Sequence, residues 1–255
     1  MSQASAVSPA PTSGIRSIGF AAPLGWLARG WQDLWRQPAA SLFYGVAIAV
    51  AGAAILGVTA RLPYLFAAAI TGFLLVAPML AAGLYELSRR YLAGEQATLV
   101  DSMWAWRRNP SALVGFALLS ILAGTAWQVA SVVIVALFYK GPALAPMAMM
   151  IEVLVNPQHY LLFFVYMCVG GLLAALVFAV SVVSMPMLVD RRCDLLTALV
   201  TSVNAVAENP LPLALWATIL MLLTGLGFAT LLLGMIVILP WLGHASFHAY
   251  KDLVR

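Results

Sequence analysis

Five stretches of this chain contain no Asp, Glu, Lys or Arg: 38–60, 62–85, 110–139, 153–189 and 209–250. Crossing about 30 Å of hydrocarbon takes roughly 20 apolar residues, and each stretch reaches that length. A fold dissolved in water needs charge to coat its surface, about 25% of residues in an ordinary soluble domain. Here charged residues are 9% and hydrophobic residues 64%. Lipid is therefore the expected solvent for much of the exterior. An uncharged run in lipid must close its backbone hydrogen bonds on itself, which a helix does. The predicted fold class is an all-α membrane protein.

The runs predict about six transmembrane helices, near 39–60, 63–87, 111–138, 160–189, 211–224 and 227–249, set as three hairpins with short interfacial helices on the cytoplasmic side. The last two share one apolar run. A tight turn at Gly225-Leu226-Gly227 would divide it into two short spans, and one bent helix is the alternative. With six spans, Arg16, Arg29, Arg36, Arg89, Arg90, Arg107, Arg108, Arg191, Arg192, Lys251 and Arg255 share one side, and only Arg61 and Lys140 face the other. By the positive-inside rule the first side is cytoplasmic, and both termini lie there. Residues 1–23 are rich in Ser, Ala, Pro and Gly and lack the apolar core of a signal peptide. They read as a flexible cytoplasmic tail ahead of a single transmembrane helical domain, 24–255.

The chain also resembles itself. At an offset of 100 residues, Leu99-Val100, Ser102, Ala105, Asn109-Pro110 and Leu113 recur as Leu199-Val200, Ser202, Ala205, Asn209-Pro210 and Leu213. A fainter copy ends at Gln37-Pro38. Each copy is a polar or amphipathic stretch, then proline, then a span. The even-numbered spans carry Pro78, Pro186 and Pro240 toward the cytoplasmic end. Proline removes a helical hydrogen bond and clashes with the preceding turn, so a kink is expected at each, with the carbonyls of Leu74, Val182 and Ile236 released. Thr98-x-x-Asp101 has the spacing of a capping box.

Several residues are candidates for a site. Trp26, Trp31, Trp35, Trp104, Trp106, Arg107 and Arg108 suit the membrane interface, with arginines reaching phosphates, or a partner contact. His244, His248 and Asp252 are spaced four apart on one helical face. They form a candidate metal or haem site, against the plainer reading of an interfacial helix end. Glu86 is placed for an i,i+4 ion pair with Arg90. Gln128, polar within the third span, suits an interhelical hydrogen bond. Gly170-Gly171 with Ala174-Ala175 mark close helix packing. Cys168 and Cys193 fit no metal motif and are expected to be unpaired thiols. No phosphate-binding loop, nucleophile elbow or metalloprotease motif is present, and the loops are too short for a catalytic domain. An enzyme is not expected, nor nucleic-acid binding, and no cofactor is predicted.

Gly30-Trp31-x-Asp33 with Pro38, Ser41 and Tyr44-Gly45 carries a resemblance. So do Pro78-Met79-Leu80-x-x-Gly83-Leu84-Tyr85-Glu86-Leu87-Ser88-Arg89 and Pro240-x-Leu242-Gly243-His244-Ala245-x-x-His248-Ala249-Tyr250-x-Asp252-Leu253-Val254. Together they resemble a proteobacterial family of predicted six-helix integral membrane proteins of unknown function, some labelled cytochrome c oxidase subunit I. The resemblance implies a bacterial inner-membrane location. The oxidase label does not suit this chain, because its three histidines are too few for the haems and copper of such a core. The expected function is a non-catalytic accessory subunit or assembly and scaffold factor of a larger, respiratory membrane complex. Its partners would be membrane lipids and either a membrane protein or a second copy. A small transporter or channel, and haem or metal binding, are the alternatives.

Overall fold

The computed structural model describes residues 14–61, 80–141 and 146–255, and among them the chain is helical throughout. In order, the elements are α1 (Ala22–Arg36), α2 (Pro38–Arg61), α3 (80–92), α4 (Leu99–Met103) and a 3₁₀ turn (Ala105–Arg108). Then follow α5 (Pro110–Phe138), α6 (Pro146–Val155), α7 (Tyr160–Ser181), α8 (Ser184–Asp190), α9 (Leu195–Glu208), α10 (Pro210–Ala229) and α11 (Met235–Leu253). Pro38, Pro110 and Pro210 each open a long apolar helix. Proline suits that position because its φ is preset and the first turn needs no N–H from it. The capping box of Thr98 and Asp101 forms at the start of α4.

Among the described residues, four segments are long and apolar enough to cross a membrane: Pro38–Val58, Pro110–Phe138, Pro157–Asp190 and Pro210–Ala229. Most of the expected second span, with Leu74 and Pro78, lies outside the described residues. The division of the last apolar run differs from expectation. α10 continues through Gly225 and Gly227, and the chain turns at 230–234 instead. Gly227 serves packing rather than turning: a Cβ there would stand 2.4 Å from the sulfur of Met235. The turn is held by Thr230, whose hydroxyl oxygen accepts the Gly234 N–H at 2.8 Å. It places Leu231 and Leu232 in the left-handed region, with φ of 52° and 70°, which non-glycine residues seldom adopt. The end of the expected flexible tail is also fixed. Arg16 N–H donates to the Leu253 carbonyl at 2.9 Å, and Arg255 N–H to that of Gly14 at 3.0 Å.

The core lies at one end of the molecule. Its main cluster joins Trp26 of α1, Tyr85 of α3, the opening turns of α5 and α10, Val182–Val189, Ala198 and Ala205 of α9, and the second half of α11. Toward the other end, α5 and α7 bury few side chains and leave Leu122, Val132, Phe164 and Leu172 among those exposed. α8 is buried from Ser184 through Val189.

Two of the prolines shape this core. Before Pro186 the helix breaks between Ser181 and Ser184, and Ser202 of α9 fills the break. Its hydroxyl accepts the Val183 N–H at 3.1 Å and donates to the Ala179 carbonyl at 2.7 Å. One side chain thus replaces the missing backbone bond, a recognised cause of helix kinks. Pro240 lies within α11 and leaves the Ile236 carbonyl without a helical donor. Gly45 of α2 packs directly on that oxygen, so closely that a Cβ would stand 2.0 Å from it. Only a residue without a side chain lets the two backbones meet there.

Gly45→Ala must push α2 off α11, so a loss of about 1–3 kcal/mol is expected, the usual cost of overpacking. Gly57→Ala on the same helix meets nothing within 4 Å and should unfold like the wild type. Thermal unfolding in detergent compares the two. Ser202→Ala strands a buried N–H and a partly buried carbonyl, and should cost about 1–3 kcal/mol in the same assay.

Candidate functional site

α11 brings His244 and His248 to one face, one turn apart, and the packing of α1, α2 and α3 over them excludes water. His244 is 0% exposed, His248 3% and Asp33 2%. Ser41 and Ser88 are equally enclosed. Buried polar groups must pair with one another, and these five form a chain. Ser88 Oγ donates to Asp33 Oδ2 at 2.8 Å. Its single proton being used, it accepts from His244 Nδ1 at 2.7 Å. The opposite ring nitrogen, Nε2, lies 3.0 Å from Ser41 Oγ. His248 Nε2 lies 2.8 Å from the same Asp33 Oδ2 and donates to it. Arg36 approaches the other carboxylate oxygen at 3.5 Å.

Burial acts most strongly on the Asp33 carboxyl and would raise it. The hydrogen bond and field of His248, with the Ser88 hydroxyl and the field of His244, outweigh burial and hold it below its usual range. The carboxylate is thus the anionic centre of the network. His248 Nδ1 is buried with no hydrogen-bond partner among the described residues.

Asp252 shares the helical face of the two histidines but belongs to a neighbouring set. Trp26 Nε1–H donates to it at 2.8 Å, and Arg29 pairs with it through both carboxylate oxygens. Burial acts to raise this carboxyl, and Arg29 and Trp26 together hold it low. The expected trio of His244, His248 and Asp252 is therefore not a convergent set. Among the described residues no three His, Cys, Asp or Glu side chains are arranged to hold a metal ion.

Glu86 is buried and gathers more cations than the single partner expected. Arg89 donates to it through Nε at 2.7 Å and Nη2 at 2.8 Å, and Arg90 through Nε at 2.9 Å. Arg108 stands 3.9 Å away and donates to the Val189 carbonyl at 3.0 Å, which turns it into the protein rather than toward phosphates. The interfacial tryptophans divide. Trp31, Trp35 and Trp104 are exposed, and Arg107 lies 3.8 Å over the Trp104 ring. Trp106 packs partly on the core. Trp26 corrects the expectation outright: it is fully buried, edge-on to Trp216 with centroids 5.5 Å apart. Gln128 is half-buried in α5, and a hydrogen bond between α5 and α7 is made one turn on, by Ser131 and Tyr166 at 2.8 Å. Cys168 and Cys193 are free thiols.

Asp33, Ser41 and Ser88 were not candidates on chemistry alone. A lone serine or aspartate in an apolar chain carries no spacing signal. All three stand in the motifs that carry the family resemblance, and that was the available pointer.

With its apolar helices and internal polar network, the chain is an integral membrane protein. Residues 65–190 match the model of a family described as "Predicted integral membrane protein (DUF2189)". The match holds the Glu86–Arg89–Arg90–Arg108 cluster but, of the five-residue network, only Ser88. No curated protein and no solved structure matches the chain.

Asp33→Asn removes the anion that His248 faces. A loss of about 3 kcal/mol is expected at neutral pH, in the range for breaking a buried charged contact. The sign with pH follows from the lowered carboxyl. Its contribution is complete above the ordinary value of 3.8 and disappears as pH falls through the lower folded value. Unfolding of wild type and Asp33→Asn, measured from pH 7 down to acid, should therefore converge at the acid end.

Proposed function

We propose that this protein is a non-catalytic scaffold of the bacterial inner membrane, an accessory or assembly subunit that packs α5 and α7 against a larger membrane complex. The observation carrying this reading is that the most apolar windows of Pro110–Phe138 and Pro157–Asp190 are each only 6% buried within the chain. Lipid alone would suffice to cover them, but α7 also exposes Gly171 and Ala175 one turn apart, and a Cβ on Gly171 meets nothing within 4 Å. A small–x–x–x–small pair on an open helix face lets a second helix approach backbone to backbone. A core held at one end by α8 and α11 leaves that face free without loosening the fold.

The reading extends to architecture and placement: six spans as three copies of an amphipathic helix, a proline and a hairpin, with both termini in the cytoplasm. Gln37, Asn109 and Asn209, each just before the opening proline, support the threefold reading. Gln37 accepts from Tyr91 at the end of α3, Asn109 donates to the Cys193 carbonyl in the linker before α9, and Asn209 bonds both Arg16 and Ile18 ahead of α1. The third tether returns to the chain's beginning, as a closed ring of three would require. Transport is less well supported. Cavities of 490 and 630 Å³ lie between the helices, but their walls are almost wholly aliphatic and aromatic, offering a polar solute little to bind.

Native membranes dissolved in a mild detergent provide the test. The wild type should migrate with other membrane proteins as an assembly, and Gly171→Leu combined with Ala175→Leu should run smaller while remaining folded. A wild type that runs at the size of one chain with its lipid would remove the scaffold reading.

A further inference from the structure

The helices α4 and α9 are turned inside out relative to helices on a water-soluble protein, and α1 carries an apolar stripe on its open side as well as on its buried one. A surface helix in water buries its apolar stripe and exposes its polar one. Here α9 buries Ala198, Thr201, Ser202 and Ala205 and exposes Leu196, Val200 and Val203, with Leu196 70% exposed. α1 buries Trp26 and Leu34 along with Gly30 and Asp33, yet also exposes Leu24, Trp31 and Trp35. α4 buries Ser102 and exposes Val100, 64% open, with Met103 and Trp104. Counted back from Pro38, Pro110 and Pro210, the positions coincide. Trp31, Met103 and Val203 are equivalent, as are Gly30, Ser102 and Ser202. An exposed apolar stripe is thus repeated three times, each beside a buried glycine or serine at the equivalent position.

Each stripe leads through its proline into a helix whose own open side is lipid-facing: Phe43 and Val46 of α2, Val114 and Leu118 of α5, Leu211 of α10. Trp26 of α1, Ala105 of the turn directly after α4 and Ala198 of α9 share one core cluster, so the three helices lie at the same end of the molecule. Cations stand at the stripe ends where headgroups would be, Arg36 after Trp35 and Arg107 over the Trp104 ring at 3.8 Å. We propose that α1, α4 and α9 form a collar lying in the plane of one leaflet, the stripes immersed at the boundary of acyl chains and headgroups and the arginines meeting anionic lipid phosphates. In-plane amphipathic helices bind membranes in this way. The partner is the lipid surface itself, and the collar fixes the depth at which the buried His–Asp–Ser network sits. The equivalence of the helices rests on the threefold reading; the exposure of each stripe does not.

The test is spin-label collision in phosphatidylethanolamine/phosphatidylglycerol vesicles, with the full chain carrying Cys168→Ser and Cys193→Ser. Single nitroxides are placed through Leu24→Cys, Val100→Cys, Leu196→Cys and Val203→Cys, with Gln32→Cys and Glu208→Cys on the polar flanks. Stripe labels should collide several-fold more with oxygen, which dissolves in lipid, than with a water-soluble nickel chelate. Flank labels should show the reverse. Stripe labels that favour the chelate would place the collar in water and overturn the proposal. Labels reached by neither reagent would mean a protein covers the stripe, which also overturns it. All four stripe positions are exposed and report independently, so one variant that fails to fold leaves the others to decide. The scaffold reading fails by a different result, a lone chain in mild detergent.

Discussion

Hydrocarbon gives two apolar side chains almost no reason to leave it for each other, because lipid tails are as apolar as leucine. That constraint accounts for the unusual distribution of packing. In the long helices α5 and α7, large aliphatic residues stay on the outside, and what binds the pair is a hydroxyl contact between Ser131 and Tyr166 and the fit of Gly170 under Trp127. Tight packing is found where the helices end. There α8 is enclosed on all sides, and backbone meets backbone across Gly45 and Ile236.

The same constraint explains the polar groups in the core. At a water interface an aspartate or histidine could remain solvated at no cost, yet Asp33, His244 and His248 are taken out of water and paired. The joint between α1 and α11 is closed by this network and by Trp26 and Arg29 on Asp252. The corresponding joint of α9 is closed by Ser202 in the break before Pro186, and that of α4 by Tyr44 with Ser102 and by Arg90 on Asp101. Burial of polar groups costs stability unless every group is satisfied.

Much of this was legible beforehand because it depends on local rules. Uncharged runs announce helices in lipid, proline at a first turn announces where they begin, and Thr98 with Asp101 announces a cap. The division of α10 from α11 was misplaced because two glycines in an apolar run look alike whether they make a turn or a close contact. Only the partner, Met235, distinguishes them. Trp26 was assigned to the interface on residue type, whereas its burial depends on Trp216 and Asp252, both more than 180 residues away in the chain. The network was half legible. The histidine spacing on α11 was visible, but its acidic partner is Asp33 on α1 rather than Asp252 on the same face, and no periodicity connects helices so distant in sequence.

In a bilayer, hydrocarbon is expected to touch the open sides of the spans while water reaches only their ends. The two cysteines test it directly, since Cys168 lies exposed on α7 and Cys193 lies half-buried in the linker before α9. With the protein in sealed bilayers, a membrane-impermeant, water-soluble maleimide supplied to the Cys193 side should modify Cys193 slowly, because burial and Asp194 raise its thiol. Cys168 should stay unmodified until the bilayer is dissolved and the chain unfolded. Modification of Cys168 in the intact bilayer at the rate of a free thiol would contradict the account.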